Sequence, residues 1–525
     1  MTSQEFKKLY TYKQLEAYNS EIRSRYNNLS LRYNQLVKKQ DILIESAVKQ
    51  RTKELENKHK QEIQEKDKEI NALKKEIAKL HSIMDNNTSN SGIPTSKTKI
   101  GEKKYIPNSR EKSNKTVGGQ LGHKKHKLLR FSEEEATEVV EVSPKLCPKC
   151  GSNKIEIEKE SIDKCETDYE VKVIKRLYKF KDCKCKNCGS HFHTPIPNNL
   201  KEENQYGSTV KSLAVCLNNE IYTPFNKVVK LVEGITNGEI KLSEGYVAKL
   251  QKQASDNLDE YIEELKEYIP KQEVYGWDDG VISINTKDGI LRTYCTDQVA
   301  LFIAHEHKNE EGLKEDGILS NTKKDTIVMH DHILHNYNEK YQFENVECLI
   351  HLIRRLKKMR ENTKHEWCDK LRELLSKSNQ ERNKLIKEKI NCFSEEYLNE
   401  LTKSYDKIME EAKEVNDEDT NNYFFKEEMN FIKDLEKYKK HYLLWAYRFD
   451  IPSTNNNSER NIRPVKSKMK ISGQFKNIET AKYYARIRSY IETCKKNGIN
   501  IIDACVRLMN NKPYSLNEIL QYKKD

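Results

Sequence analysis

Three carboxylates stand out by their surroundings. Asp278 lies in the alternating run EVYGWDDGVISIN, Asp331 ends the short apolar run DTIVMHD, and Glu459 sits in STNNNSERNIRPVKSKMKISGQF, inside a basic stretch. Carboxylates are the ligands Mg²⁺ and Mn²⁺ prefer, and two such ions can stabilise both the attacking and the leaving oxygen of an in-line phosphoryl displacement. A single acid among 82 acidic residues is ordinarily a solvated surface charge. The joint pattern sets these three apart: two acids at strand positions and a third in a cationic segment. Asp279 alternates to the opposite strand face, so only one of the pair can enter a site, and Asp278 is our choice. His330 and His332 flank Asp331 and in an extended strand point away from the Asp face, which makes them supporting residues.

Thirteen cysteines, an odd number scattered along a long chain, fit reduced thiols better than a disulfide framework. Cys147-Pro-Lys-Cys150-Gly and Cys185-Lys-Asn-Cys188-Gly form two CxxC knuckles. Each places two thiolates on one tight turn, and two such turns complete a tetrahedral zinc site. A closed four-thiolate site leaves no open position, so this zinc is structural or docks DNA. The alternating stretch Tyr169 to Phe180 is expected to supply ribbon strands, with Cys183, His191 and His193 as spare ligands.

The formal net charge is +12, with +9 in residues 97–130 and +8 in residues 460–488, which leaves the rest of the chain at −5. Two basic patches on a slightly acidic body suit a phosphate-rich partner such as nucleic acid. The expected contacts are Lys124 and Lys125 in GGQLGHKKH, and Arg460, Arg463, Lys466, Lys468 and Lys470 around Glu459. A solvated linker and helix face is the plainer alternative.

The 525 residues allow several domains. Residues 12–84 are nearly free of Gly and Pro and repeat by heptads, Leu15 to Leu43 and then Ile63 to Met84 with Leu73 and Leu80, as a coiled coil for parallel self-association would. A basic linker follows at 85–130, the zinc ribbon at 140–196, and a helical, helix-turn-helix-like region at 205–268, broken at Tyr222-Thr-Pro224 and Thr236-Asn-Gly238 with Ser243 as an N-cap. From 272 to 350 the chain reads as a three-stranded meander with Asp288-Gly289 at a hairpin, then a helix and a further strand; 351–450 is helical and charged; 451–510 holds Glu459, in a short helix that Arg463-Pro464 should end; 511–525 is a tail. The fold class is multidomain α+β. No apolar run suits a membrane span and the amino terminus has no secretory pattern, so the expectation is a soluble cytoplasmic protein without a membrane partner.

A meander, a helix and a further strand resemble the ribonuclease-H-like fold, in which the first and fourth strands are neighbours. Over nearly the whole chain, the sequence resembles the insertion sequence 66 family of DDE transposases: SNSGIPTS, GGQLGHKKH, CPKCG, CKNCG, WDD, HD and NNNSERNIRP stand in order, Cys348-Leu-Ile-His351-Leu-Ile-Arg354 matches a C-x-x-H-x-x-R segment, and GQFKNIETAKYYARIRSYIETCKKNGIN follows. One position departs: Gly280 stands where the family usually has Thr, which leaves Asp279 as the alternative to Asp278 for the first acid. The resemblance implies a ribonuclease-H-like catalytic domain with a helical insertion and Asp278, Asp331 and Glu459 as metal-binding triad, with Cys348, His351 and Arg354 in support. It further implies binding of terminal inverted repeats and target DNA, metal-dependent cleavage and strand transfer with Mg²⁺ or Mn²⁺, accessory proteins from the same element, a homodimer or higher oligomer through the coiled coil, and a place on the nucleoid. Two other readings stay open: a non-catalytic dimeric zinc-ribbon DNA-binding protein, and a stand-alone metal-dependent nuclease.

Overall fold

The structure, a computed structural model, describes residues 19–32, 52–86, 128–158, 163–197, 202–331 and 340–522, with a few single positions between. Lys124, Lys125, His332 and most of the basic linker lie outside the described residues. The chain forms two compact units, one of residues 111–251 and one of residues 1–110 with 252–525.

Residues 19–32 are helical, and α1 spans Thr52–Met84. Ile22, Leu29 and Leu80 are buried, and the Asn19 amide donates to the Met84 sulfur at 3.6 Å. The two heptad stretches thus meet within one chain.

In the unit of residues 111–251, the two knuckles adopt the same turn. Cys147 N donates to Ser152 O and Cys185 N to Ser190 O, both at 2.8 Å, and Gly151 and Gly189 take φ of +71° and +75°. Strands β1 (Asp182–Lys184) and β2 (His191–His193) pair antiparallel. The stretch Tyr169 to Phe180 joins no ladder, against expectation, and its Tyr169, Ile174 and Leu177 are exposed. Alternation produces a strand only where one face has something to be buried against. Helices α2 (Ser208–Asn219), α3 (Phe225–Ile235) and α4 (Glu244–Asp256) follow. The expected break lies at Asn237 and Gly238, both at positive φ, and Ser243 Oγ accepts the Tyr246 N–H at 3.1 Å.

The other unit contains α5 (Asp259–Tyr268) and a five-stranded mixed sheet: β3 (Val274–Ile284), β4 (Lys287–Cys295), β5 (Ala300–His305), β6 (Ile327–His330) and β7 (Glu344–Glu347), in the order β5-β4-β3-β6-β7. The first three pair antiparallel, whereas β6 runs parallel to both β3 and β7. The hairpin turns at Asn285-Thr286, both at positive φ, three residues before the Asp288-Gly289 expected from sequence. Gly289 lies inside β4, where an added Cβ would meet Ile284 Cδ1 at 2.6 Å and His305 O at 3.0 Å, so close approach rather than turning explains this glycine.

Helices α6 (Glu310–Asp316) and α7 (Ile318–Asn321) link β5 to β6, with Asn309 capping α6. Five helices lie between β7 and the Glu459 segment: α8 (Leu349–Thr363), α9 (Trp367–Lys387), α10 (Glu395–Glu418), α11 (Phe425–Lys437) and α12 (Lys439–Tyr447). They share a core with Ile327, Met329 and Val346 of the sheet. Helices α13 (Asn456–Ser472) and α14 (Ile478–Lys496) pack with β3, β4 and β5 through Ile282, Leu291, Phe302, Val465, Phe475 and Tyr484. The Ser489 and Thr493 hydroxyls accept the β5 amides of Phe302 and Ala300, which satisfies that sheet edge. The supposed tail is folded: α15 (Ile501–Met509) and α16 (Leu516–Leu520) continue the chain, with Leu516 and Ile519 buried and Leu516 N donating to Glu264.

Contrary to expectation, α13 runs through Pro464. An interior proline costs about 3 kcal/mol through its missing N–H and its clash with the preceding turn. Burial of Ser458, Asn461, Ile462 and Val465 on the inner face of α13 offsets that cost.

Candidate active site

Alternation along β3 puts Tyr275, Trp277 and Asp279 on one face and Gly276, Asp278 and Gly280 on the other. Asp279 lies opposite Arg292 in the register and is ion-paired with it at 2.9 Å, with Lys308 at 3.1 Å. Arg292 also holds Asp316, which takes further hydrogen bonds from Tyr294 and His305. Asp279 is therefore committed to a buried polar network, and Asp278 faces the other way.

Helix α13 crosses the Asp278 face at close range because two glycines make room. A Cβ on Gly276 would meet Ser458 Oγ at 2.4 Å, and one on Gly280 would meet Ile462 Cγ2 at 2.8 Å. The second contact leaves little room for a side chain at Gly280 with α13 in this place. Ser458 and Ile462 are one turn apart on α13, and Glu459 emerges beside them. The entry of α13 is fastened by Asn455, whose side-chain amide donates to Trp277 O at 3.0 Å and whose backbone N–H donates to Cys348 Sγ at 3.2 Å. Asn457 bonds Thr296 O at 2.9 Å and accepts from Lys496 at 3.0 Å. These positioning residues escaped the sequence reading, although the asparagine run at a helix start could have drawn attention to them.

Asp331 follows β6, and His351 stands on the first turn of α8, capped by Cys348. His351 Nδ1 lies 2.9 Å from Asp331 Oδ1, and its Nε2 lies 3.9 Å from Glu459 Oε1. Arg463 reaches the other Glu459 oxygen at 3.7 Å. Burial, followed by the charge of Asp331, pushes the Asp278 carboxyl up to about 8. Burial would raise Asp331 as well, but the hydrogen bond and charge of His351 outweigh it and hold its carboxyl below the ordinary value. Burial opposes protonation of His351, yet Cys348 and Asp331 overcome it and push the imidazole up to about 11. Asp331 and Glu459 thus flank one imidazole, and Asp278 is close enough to Asp331 to feel its charge. A recess that raises a carboxyl in this way favours a cation. Among the described residues, Asp331, Cys348 and His351 also form a group whose ligand atoms lie within 4.8 Å of one another.

His330 is buried, hydrogen-bonded to Asn345 Oδ1 at 2.8 Å and packed against Trp277, and so has a structural place beside Asp331. Arg354 Nε is buried with no acceptor among the described residues. On α13, Arg460, Arg463, Lys466 and Lys470 are exposed at helical spacing and form a cationic stripe beside Glu459.

Lys468 departs from that set. It is only 6% exposed, its ammonium lies 5.0 Å from the Tyr484 ring centre, and burial pushes it down to about 8. A lysine whose folded value falls below its ordinary 10.5 destabilises the fold wherever it must be charged, in full below about 8 and not at all above 10.5. Lys468→Met should therefore stabilise the protein at pH 7, by about 2 kcal/mol, with the gain fading towards pH 10.5 and DNA affinity unchanged; thermal melts across pH check this.

In the other unit, the CxxC thiols pair within each knuckle, and hydrogen bonds from Ser190 and Cys185 bring Cys188 down to about 7. Cys150 hydrogen bonds likewise lower Cys147. The two knuckles do not come together as one four-sulfur group among the described residues.

The family model described as Transposase IS66 family matches residues 203–483, a span that holds all three carboxylates and the glycine-lined crossing. No curated protein matches the chain. No helix among the described residues is long and apolar enough to cross a membrane.

Proposed function

The chain belongs to the IS66 family of transposases, and from that premise we propose that it cuts and joins DNA at the ends of a mobile element through a metal site made by Asp278, Asp331 and Glu459. The observation that carries this reading is the gathering of Asp331 and Glu459 on the two nitrogens of His351, with Asp278 near enough for Asp331 to raise it. The sheet order β5-β4-β3-β6-β7 supports a ribonuclease-H-like core, and α8 to α12 a helical insertion within it.

The donor set is all carboxylate oxygen, which suits Mg²⁺ or Mn²⁺, and burial and the neighbouring Asp331 charge, which raise the Asp278 carboxyl, support the fit. Bound there, the ions would lower the cost of charge on the attacking and leaving oxygens. Asp278 and Asp331 hold the site from two adjacent strands, and Glu459 closes it from α13. His351 fixes the Asp331 carboxylate. Arg354 adds its positive charge beside Asp331, and the α13 stripe grips the DNA backbone. A water oxygen attacks the phosphodiester at the element end and frees a 3′ hydroxyl; that hydroxyl then attacks a target phosphodiester, one P–O bond forming as another breaks.

Purified protein incubated with labelled terminal repeats, target plasmid and Mg²⁺ should yield joined products. Cleavage without joining would favour a stand-alone nuclease, and binding alone a DNA-binding regulator. Metal affinity should be proton-linked. Below about 8 the Asp278 carboxyl is protonated and the ion must displace that proton, so affinity should rise about tenfold per pH unit from about 6 to 8 and then level off. Calorimetric titration in buffers of different ionisation heat measures the proton released.

For residues 140–196, zinc would join the two preformed knuckles through Cys147, Cys150, Cys185 and Cys188. The fit rests on their matching turns and on the lowered thiols of Cys147 and Cys188. Cys185→Ser should lose about one zinc per chain and weaken DNA binding, as measured by metal analysis and gel shift. Self-association, accessory proteins and action on the nucleoid complete the proposal.

A further inference from the structure

The acid site has a second, softer set of donors on its rim. Cys348 caps α8 and His351 follows one turn later, so thiol and imidazole project from the same helix end. Asp331 comes from the end of β6, and one ligand atom from each of the three lies within 4.8 Å of the others. The Cys348 sulfur is fully buried and accepts the Asn455 N–H at 3.2 Å, which fixes its place at the helix start. Asp331 and His351 are each about one quarter exposed, which leaves a way in. Once an ion has displaced the protons of the Cys348 thiol and the His351 ring, thiolate, imidazole and carboxylate on three positions, with a fourth open, make a donor set for a borderline-soft ion and not for Mg²⁺, which takes oxygen alone.

We propose that Asp331, Cys348 and His351 bind zinc, and that zinc held there withdraws Asp331 from the Mg²⁺ or Mn²⁺ site, making the enzyme sensitive to the local balance of the two kinds of metal. The second half rests on the reading of Asp331 as part of the acid triad; the first half does not. The site is separate from the four-cysteine ribbon and draws on none of its ligands.

The test uses the full chain, loaded with zinc, freed of excess by gel filtration and analysed for metal. A ribbon variant, Cys147→Ser with Cys185→Ser, should still retain about one zinc per chain; adding Cys348→Ser should remove it. Cobalt in the ribbon variant should give a thiolate-to-metal absorption band that Cys348→Ser abolishes. His351→Gln, which keeps Cys348 in place, should lose the same ion and serves where Cys348→Ser melts early. Equal zinc content with and without Cys348 and His351, in folded proteins, overturns the site. For the second half, Mn²⁺ bound to the ribbon variant is followed by its resonance spectrum, and one equivalent of zinc should release it. Mn²⁺ that stays bound beside zinc overturns the withdrawal. If no Mn²⁺ binds at all, the acid-triad reading has failed instead, and the zinc count alone decides the site.

Discussion

Asp331→Asn should abolish Mg²⁺-dependent cleavage of terminal-repeat DNA while the protein stays folded and still binds that DNA. The carboxamide keeps the shape of the side chain at the end of β6 but loses the charge that a divalent cation needs, and it becomes a weak partner for His351. Loss of one preorganised electrostatic contributor lowers turnover by about 10²–10³-fold, and loss of a metal ligand should reach at least that. Stability should change little, because two effects oppose each other. The His351 contact at 2.9 Å is weakened, but Asp278 is relieved of the neighbouring negative charge that helps to push it up to about 8. The experiment pairs a cleavage assay in Mg²⁺ with a gel shift in Ca²⁺ and a thermal melt. Undiminished cleavage by a folded Asp331→Asn protein would remove Asp331 from the site and the proposed chemistry with it.

The second large effect is expected at a residue with no functional group. Gly276→Ala places a methyl group 2.4 Å from Ser458 Oγ and 3.0 Å from Asn455 Oδ1, and neither neighbour can yield cheaply: Ser458 is fully buried and hydrogen-bonded to Cys295 at 3.3 Å, and Asn455 is tied to Trp277 O. Overpacking of this kind costs about 1–3 kcal/mol. The kinetic penalty should be the larger one, because the strain is relieved by moving the start of α13, which carries Glu459 away from Asp331; displacements near 1 Å cost about 10²-fold. The expected signature is a modest fall in melting temperature with a severe fall in cleavage, and Ser458→Gly in the same chain should restore part of both. A Gly276→Ala protein with full activity would mean that Glu459 does not depend on this crossing.

What the sequence made legible follows the strength of local periodicity. Alternation in EVYGWDDGVISIN located β3, and its period separated Asp278 from Asp279, a choice that the Arg292 ion pair supports. That β6 lies beside β3 followed from the resemblance of the element order to a ribonuclease-H-like fold, while their parallel direction emerged only in the structure. Other features depend on partners distant in the chain and left little local trace. Strand β7 is four residues long, too short for a period. Lys468 reads as one more cation in a basic run, and only the orientation of α13 buries it. Pro464 signals a helix end, and tertiary packing overrides it. The fastening of α13 by Asn455 joins residues 178 and 107 positions apart, beyond any pattern in the segment itself. The strands expected from Tyr169 to Phe180 are the converse case, a clear local period without a surface to lie on.

Helix α13 is joined to β3 at both of its ends. Asn455 holds Trp277 O before the helix, and after it Phe475 N donates to Ser283 O while Asn285 N donates to Phe475 O, both at 2.9 Å. The chain between these two moorings is consequently fixed in length. A single inserted residue there would turn every later side chain by about 100° while the ends stayed in place, so insertions and deletions are excluded from residues 455–475. Among the described residues, the loops joining α8 to α12 have no such double mooring to one strand, and variation in length across homologues should accumulate there.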